Sequence, residues 1–495
     1  MFSTVSRPQR SIFGALAIAA LTLNTYPIKV SADQPVPPAV VTHLPTLLTL
    51  QDAIAIALRE QPQQSIAAAE VNSALGTKEQ AQSAYYPTIT PSYSFENNRS
   101  TEYGIAQNQY VTSSITPTAG SGSGTTTSGG SGSTSTTGST TTVAQSSGDA
   151  INVIRGGGTT ISLKQTILDS GQRELTNSEA RQQVESADYT KEDTRQSIIA
   201  NVTSSYYGLL QAVDLVKVAQ AQVTENQQTV DLTQAELTAG TAAKTDVYTA
   251  QANLATAQVT LITDQNQVQI TTAQLKNAMG VVTDDPVKPE SLETGTQLPP
   301  APAPPAIASV QQYYLLAQQN RNDIKAQLSI VDSDRAAVKL ARVNAGVSLS
   351  ADYLLSYQPA NDVGPKGTDS TFTLTGSMPL FDGGYEQGAV KIADAALQSA
   401  LASLEQIREN DLEAVQEDYA TRQESLQAIQ YAQVAVQAGQ VNYDAAVASR
   451  EAGVGTVLQI TTAEATLTQA QEQYVTAIYN YYIADSNLQR AAGLN

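Results

Sequence analysis

Residues with chemical capability are scarce in this chain. Its 495 residues include one histidine, His43, and no cysteine. A histidine-dependent triad or a His/Cys metal cluster therefore lacks its raw material. Thiol chemistry, disulfides and an acylated N-terminal cysteine are excluded as well. His43 sits beside a proline-rich stretch and reads as incidental. Asp284 and Asp285 are adjacent carboxylates, but they open a Pro-rich segment and read as solvated. Asp332 and Asp334 lack a calcium-loop pattern. Gly156-Gly157-Gly158 has no Lys-Ser/Thr after it and is not a phosphate loop. Tyr479, Tyr481 and Tyr482 read as packing between helices. No enzyme activity, cofactor or metal is expected. A net charge of −19 argues against binding nucleic acid through its phosphates.

The pattern of the chain is more informative than its side chains. Two runs, Leu168–Gly240 and Leu380–Gly453, contain no proline, and each stops at Ala-Gly (Ala239-Gly240 and Ala452-Gly453). A helix of about 70 residues would be on the order of 100 Å long. The two runs are copies. Asp169 and Asp382, Tyr206 and Tyr419, Gly240 and Gly453, Leu254 and Leu467, and Gly280 and Gly493 all stand 213 apart. Upstream, Ile89, Pro91, Tyr93 and Phe95 match Leu349, Ala351, Tyr353 and Leu355 at an offset of 260. Constant spacing over this length marks an internal duplication. In the long run of copy one, Val216, Val223, Val230 and Leu237 recur every seven residues, as in a coiled-coil seam; Ile429, Val436 and Tyr443 do so in copy two.

Each copy reads as short helix, strand, loop, strand, long helix, turn, short helix. Residues 1–32, with Arg7 and Arg10, an apolar Ile12–Leu23 and the small residues Val30-Ser31-Ala32, read as a secretory signal peptide. Residues 33–48 form an extended tail, and 49–283 the first repeat, with a Ser/Gly/Thr-rich loop at 104–158. Residues 284–306 are a Pro-rich linker and 307–495 the second repeat. Helices are expected over Leu50–Ala84, with Pro62 as a kink, and over Val310–Ala345. The strands alternate apolar and polar residues over nine to ten positions, the length and pattern of a tilted strand crossing an outer membrane. Four strands cannot close a barrel, and open edges in lipid leave backbone groups unpaired. The chain must therefore oligomerise. A dimer gives eight strands and a trimer twelve; a conduit favours the trimer.

Three segments carry a family resemblance: Leu48-Thr-Leu-Gln-Asp-Ala-Ile-Ala-Ile-Ala-Leu58, Pro379-Leu-Phe-Asp-Gly-Gly384, and the paired turns Gly240–Gln258 and Gly453–Gln471. In these the chain resembles TolC-type outer-membrane efflux proteins. The resemblance implies a mainly α fold: a long antiparallel α-helical barrel continuous with a trimeric 12-stranded β-barrel, four strands per chain. It implies an outer-membrane exit duct with a large periplasmic portion, serving tripartite efflux or type I secretion. The partners implied are two further copies in a homotrimer, outer-membrane lipid, a periplasmic adaptor and an inner-membrane transporter. Adaptor docking would fall on Gly240, Thr241, Gly453, Val454 and Gly455, and a gate on Asp246, Val457, Leu458, Gln459 and Thr462. Asp169, Gly171, Asp382, Gly383 and Gly384 would make the strand–helix transitions. Relatives often carry aspartates at the positions of Gln459 and Thr462, so an acidic ring is not expected there. A trimeric coiled-coil surface adhesin or a structural outer-membrane protein is the alternative, but an adhesin does not explain two hairpins placed mid-chain by duplication.

Overall fold

The computed structural model describes residue 45 and residues 47–101, 151–291, 298–302, 309–358 and 367–494. The signal peptide, His43 and nearly all of the tail lie outside the described residues, as do 104–150 of the expected loop and parts of the linker. Two compact units are distinguished. One comprises residues up to Ala74, Gln183–Val331 and Ser399–Asn495; the other comprises Leu75–Gln182 and Asp332–Gln398.

In chain order the elements are α1 (Leu50–Glu60), α2 (Pro62–Ser83), β1 (Thr88–Thr101), β2 (Ile151–Leu168), α3 (Gln172–Ala239), α4 (Lys244–Ala278), α5 (Val310–Asn320), α6 (Asn322–Val343), β3 (Ser348–Gln358), β4 (Gly367–Ser377), α7 (Tyr385–Glu451) and α8 (Val457–Ala491). The proline-free runs are unbroken helices of 68 and 67 residues. Among the described residues no helix is both long and apolar enough to cross a membrane.

The first unit holds the apolar core. Thr49 caps α1 by accepting from the Asp52 N–H at 3.1 Å. Pro62 then enforces a break at Gln61, because the residue before a proline is pushed out of helical geometry. The second repeat breaks at the equivalent residue, Arg321, with no proline to signal it, so the single helix expected over Val310–Ala345 is two. A tertiary contact accompanies each break. Gly280 and Gly493 end α4 and α8 in left-handed geometry and sit against the two breaks. A Cβ on Gly280 would lie 2.8 Å from the Gln61 Cα, and one on Gly493 2.9 Å from the Arg321 nitrogen. Leu48, placed at the end of the tail by sequence, is fully buried and bridges to the linker: its N–H donates to the Lys288 carbonyl at 2.8 Å, and its carbonyl accepts from Glu290 at 2.9 Å.

The seam of the first long helix is shifted from expectation, whereas in the second Ile429 of the expected set is buried. Val216, Val223, Val230 and Leu237 are only half-buried. The buried stripe of α3 is Ala212, Ala219, Asn226 and Thr233, also seven apart. In α7, Ser425 and Ala432 are buried at the matching positions, and Gly439 is buried opposite Leu467. Small residues let the helices approach, and the buried polar ones bond locally or across the seam. Thr233 donates to the Thr229 carbonyl one turn back. The tyrosines pack between helices as expected: Tyr479 is fully buried, and Tyr482 stacks on Tyr207 with centroids 4.9 Å apart.

The second unit holds an antiparallel sheet in the order β1-β2-β3-β4. Its strands have 14, 18, 11 and 11 residues, longer than the nine to ten expected. Residues 151–158, expected in the loop, are strand, because they continue the ladder with β1 as far as Thr101 opposite Ile151. The glycine triplet fits that ladder: the Tyr93 hydroxyl lies 3.0 Å from where a Gly157 Cβ would be. Apolar residues of the outer strands point away from the chain. Ile89, Tyr93, Phe95, Phe372 and Leu374 are all more than half exposed.

Candidate functional site at the helix turns

Both turns are built by glycine. Past Ala239, Gly240 takes φ +80°, its N–H donates to Leu237 at 3.0 Å and the Thr241 N–H to Glu236 at 2.9 Å. Past Glu451, Gly453 takes φ +77°, its N–H donates to Arg450 at 2.9 Å and the Val454 N–H to Ser449 at 3.1 Å. A left-handed residue closing the last turn in this way satisfies carbonyls that would otherwise lack partners. Gly455 is restricted by space, since a Cβ there would lie 2.8 Å from the Arg450 nitrogen.

The returning helices start differently. Thr456 caps α8 in a reciprocal box: its hydroxyl accepts from the Gln459 N–H at 3.3 Å, and the Gln459 side chain accepts from the Thr456 N–H at 2.8 Å. At the equivalent place in the first repeat, Ala243 offers α4 no side-chain cap. Gln459 is thus engaged in holding its own turn. Val457 is buried inside the chain, whereas Leu458 is 69 % exposed and Val454 82 %. Thr462 is exposed and Asp246 half-buried.

Sequence reasoning missed the contacts that tie the turns together. Arg450, at the end of α7, pairs with Glu236 at the end of α3, and its second nitrogen donates to the Gly455 carbonyl at 3.0 Å. Further along, Asn226 on α3 donates to Glu464 on α8, which is 2 % exposed. Burial, then the nearby Glu225, raises the Glu464 carboxyl to about 8. Burial and Asp444 raise Glu225, and burial pushes Tyr443 to about 12, with Glu225, Glu464 and Asp444 adding to it. The signal for Glu464 was legible: an acid between Ile460 and Leu467 on an otherwise apolar stripe.

Where the strands lead into α3 and α7, the sequence-predicted transition residues bond locally within each corner. The Asp169 carboxylate accepts from the N–H groups of Gly171 at 3.2 Å and Arg173 at 3.0 Å, and pairs with the Arg173 guanidinium at 2.7 Å. Asp382 accepts from Gly384 at 2.9 Å and Glu386 at 2.6 Å. These N–H groups, Glu386 first, hold the Asp382 carboxyl below its usual range. Gly171, Gly383 and Gly384 have positive φ. So does Ser170, at 54°, whose hydroxyl donates to the Val347 carbonyl at 2.8 Å.

Comparison with known proteins agrees with this anatomy. The family described as outer membrane efflux protein matches residues 53–281 and 313–494. The chain is 25 % identical over 346 residues to outer membrane protein TolC of Escherichia coli (strain K12), covering 68 % of this chain and 69 % of that one. It is 24 % identical over 347 residues to the TolC of Salmonella enteritidis, covering 68 % of each. In fold it is similar to the solved structure of CusC, with a TM-score of 0.71 at 16 % identity, covering 90 % of this chain and 92 % of that one. It is also similar to the outer membrane protein VceC of Vibrio cholerae, with a TM-score of 0.68 at 18 % identity, covering 90 % and 96 %. Matched over most of its length by that family's model, the chain belongs to the outer membrane efflux protein family and is an outer-membrane exit duct.

Proposed function

We propose that the duct is a homotrimer whose twelve strands close one barrel, and that its helix turns form a gate and dock a periplasmic adaptor leading to an inner-membrane transporter. The observation that carries this reading is the open sheet. Four strands end in two unpaired edges, β1 and β4, while the residues that would face lipid are already exposed. In hydrocarbon each unpaired backbone group would cost several kcal/mol, so the edges must be covered by further copies. Three copies supply enough strands for a lumen. Gate and docking residues are assigned to the turns by family resemblance and by their exposed Val454 and Leu458. Cargo is then chosen by the transporter, and the duct conducts passively.

Native mass spectrometry in detergent tests the assembly: a trimer is expected, and a stable monomer with a fully protected sheet would overturn it. Cross-linking in cells from cysteines placed at Thr241 and Val454 tests docking. Adducts with a periplasmic protein are expected, and their absence while export continues would remove the docking assignment.

A further inference from the structure

We propose that β4 of one copy pairs antiparallel with β1 of the next in one fixed register, with Leu374 opposite Phe95 and Gly376 opposite Tyr93. The proposal deepens the reading of a closed ring of copies and rests on it.

The argument is the internal duplication, which can be tested inside one chain before it is extended outside it. An offset of 260 carries β1 onto β3, so that Thr88 becomes Ser348. An offset of 213 carries β2 onto β4, so that Lys164 becomes Ser377. Thr88 lies opposite Lys164 in the first hairpin, and Ser348 lies opposite Ser377 in the second. The two hairpins therefore share one register once the offsets are applied. The remaining pairing within the chain is β2 with β3, where Ile161 faces Leu355 and Leu163 faces Tyr353. The same offsets turn β2 into β4 and β3 into the β1 of a following copy. Ile161 facing Leu355 becomes Leu374 facing Phe95, and Leu163 facing Tyr353 becomes Gly376 facing Tyr93. On the opposite sheet face, Ser162 facing Leu354 becomes Thr375 facing Ser94, and Lys164 facing Asp352 becomes Ser377 facing Ser92.

Two observations support the transfer independently. First, it keeps the apolar faces together: Leu374 and Phe95 are 56 % and 65 % exposed and fall on the same side. A slip of one residue would place Phe95 among the threonines of β4 and turn one strand over. Second, the corner after β4 looks uncovered in the way a missing strand predicts. Ile167 and Leu168, which have β3 beside them, are 51 % and 50 % exposed; Leu380 and Phe381, their equivalents, have no strand beside them among the described residues and are 88 % and 90 % exposed. β4 ends at Ser377, whereas the transferred ladder continues through the irregularity at Thr166 and Leu168 to the positions of Pro379 and Phe381.

The absence of native cysteine makes the test clean. Directly opposed residues fall within the roughly 4.4–6.8 Å between Cα atoms that a disulfide spans, and diagonal neighbours at about 7–8 Å do not. The double variant Ser94→Cys/Thr375→Cys, oxidised as the assembled protein in detergent, should give covalent trimers on a non-reducing gel. Ser92→Cys/Ser377→Cys should do the same. The slipped pair Ser92→Cys/Thr375→Cys should yield roughly tenfold less, since its geometry lies outside the disulfide range. Stronger linkage from the slipped pair would overturn the register and leave the ring intact. A native trimer in which no pair links would overturn the pairing of β4 with β1. A wild-type protein that is not a ring of copies would overturn the reading beneath it. If a double variant fails to assemble, interchain proton proximities between Leu374 and Phe95 in mixed-labelled wild-type trimers decide, their absence counting against the register.

Discussion

Asn226 and Glu464 meet across the buried seam between the first long helix and the last helix, an amide donating to a carboxyl that is almost wholly withdrawn from water. The equivalents of these residues are Gly439 and Gln251, so the contact belongs to one repeat interface only. The duplication preserved the backbone plan and let the buried chemistry diverge. Leu209 and Ile198 in the apolar first repeat stand where the second has Arg422, fully buried, and Asp411, paired with Arg321 at 2.8 Å.

That divergence predicts a pH dependence. Glu464 is raised to about 8, above its unfolded value, by burial and by Glu225. Its contribution is fully present below the unfolded carboxylate pKa and is lost as pH rises through about 8. Between pH 6 and 9.5 the thermal midpoint should therefore fall. Glu464→Gln should flatten that fall and make the variant the more stable form at the upper end, by about 1–3 kcal/mol. Parallel melts of the two proteins across pH check this.

The helix breaks make a second prediction. Gly280→Ala should destabilise by roughly 2 kcal/mol or more, because a left-handed φ and a backbone clash with Gln61 act together. Gly240→Ala, with a similar φ but open space around the missing Cβ, should cost less. Denaturation midpoints of the two variants rank the effects.

At the strand–helix corner, Asp169→Ala should cost about 1–3 kcal/mol, since it removes a helix cap and the carboxylate paired with the half-buried Arg173, which keeps only its bonds to the Thr166 and Ile167 carbonyls. Asp382→Ala should cost less. Because the Asp382 carboxyl is held low by backbone N–H groups, its contribution is present above the ordinary carboxylate pKa and is lost as pH falls through the lowered value. Acid melts of wild type and the Asp382 variant should converge at low pH.

The proposed gate carries an electrostatic prediction. With Gln459 and Thr462 in place of acids, trivalent cations should block the channel weakly from the turn side. Gln459→Asp would place three carboxylates in the proposed trimeric ring and should tighten block by roughly tenfold or more. Asp246→Asn should change it little. Single-channel titrations with a trivalent cation compare the three proteins; tight block in wild type that Asp246→Asn abolishes would move the gate to the first repeat.

Most of the architecture was legible because it is written in periodicity: proline-free runs, alternation in the strands, and offsets of 213 and 260 between matching residues. What was illegible depends on contacts between distant segments. Nothing near Arg321 marks a helix break, and the residue packed against it, Gly493, lies far along the chain. The seven-residue spacing of Val216, Val223 and Val230 fits a seam as well as that of Ala212, Ala219 and Asn226, and only packing chooses between them. The glycine triplet at 156–158 reads as loop until β1 pairs with it. At the turns, the glycines were visible from sequence, but the Arg450–Glu236 pair was not, because its partners lie on different long helices.

The central claim is that this chain forms a passive conduit held shut at its helix turns, and ion current through a planar bilayer tests it most directly. Arg450 ties the two long helices and its own turn together through Glu236 and Gly455. Wild-type protein should show small, steady openings, and Arg450→Ala/Glu236→Gln should show severalfold larger conductance at unchanged trimer mass. A correctly assembled protein that passes no current above the bare bilayer, in wild-type and variant forms alike, would contradict the account.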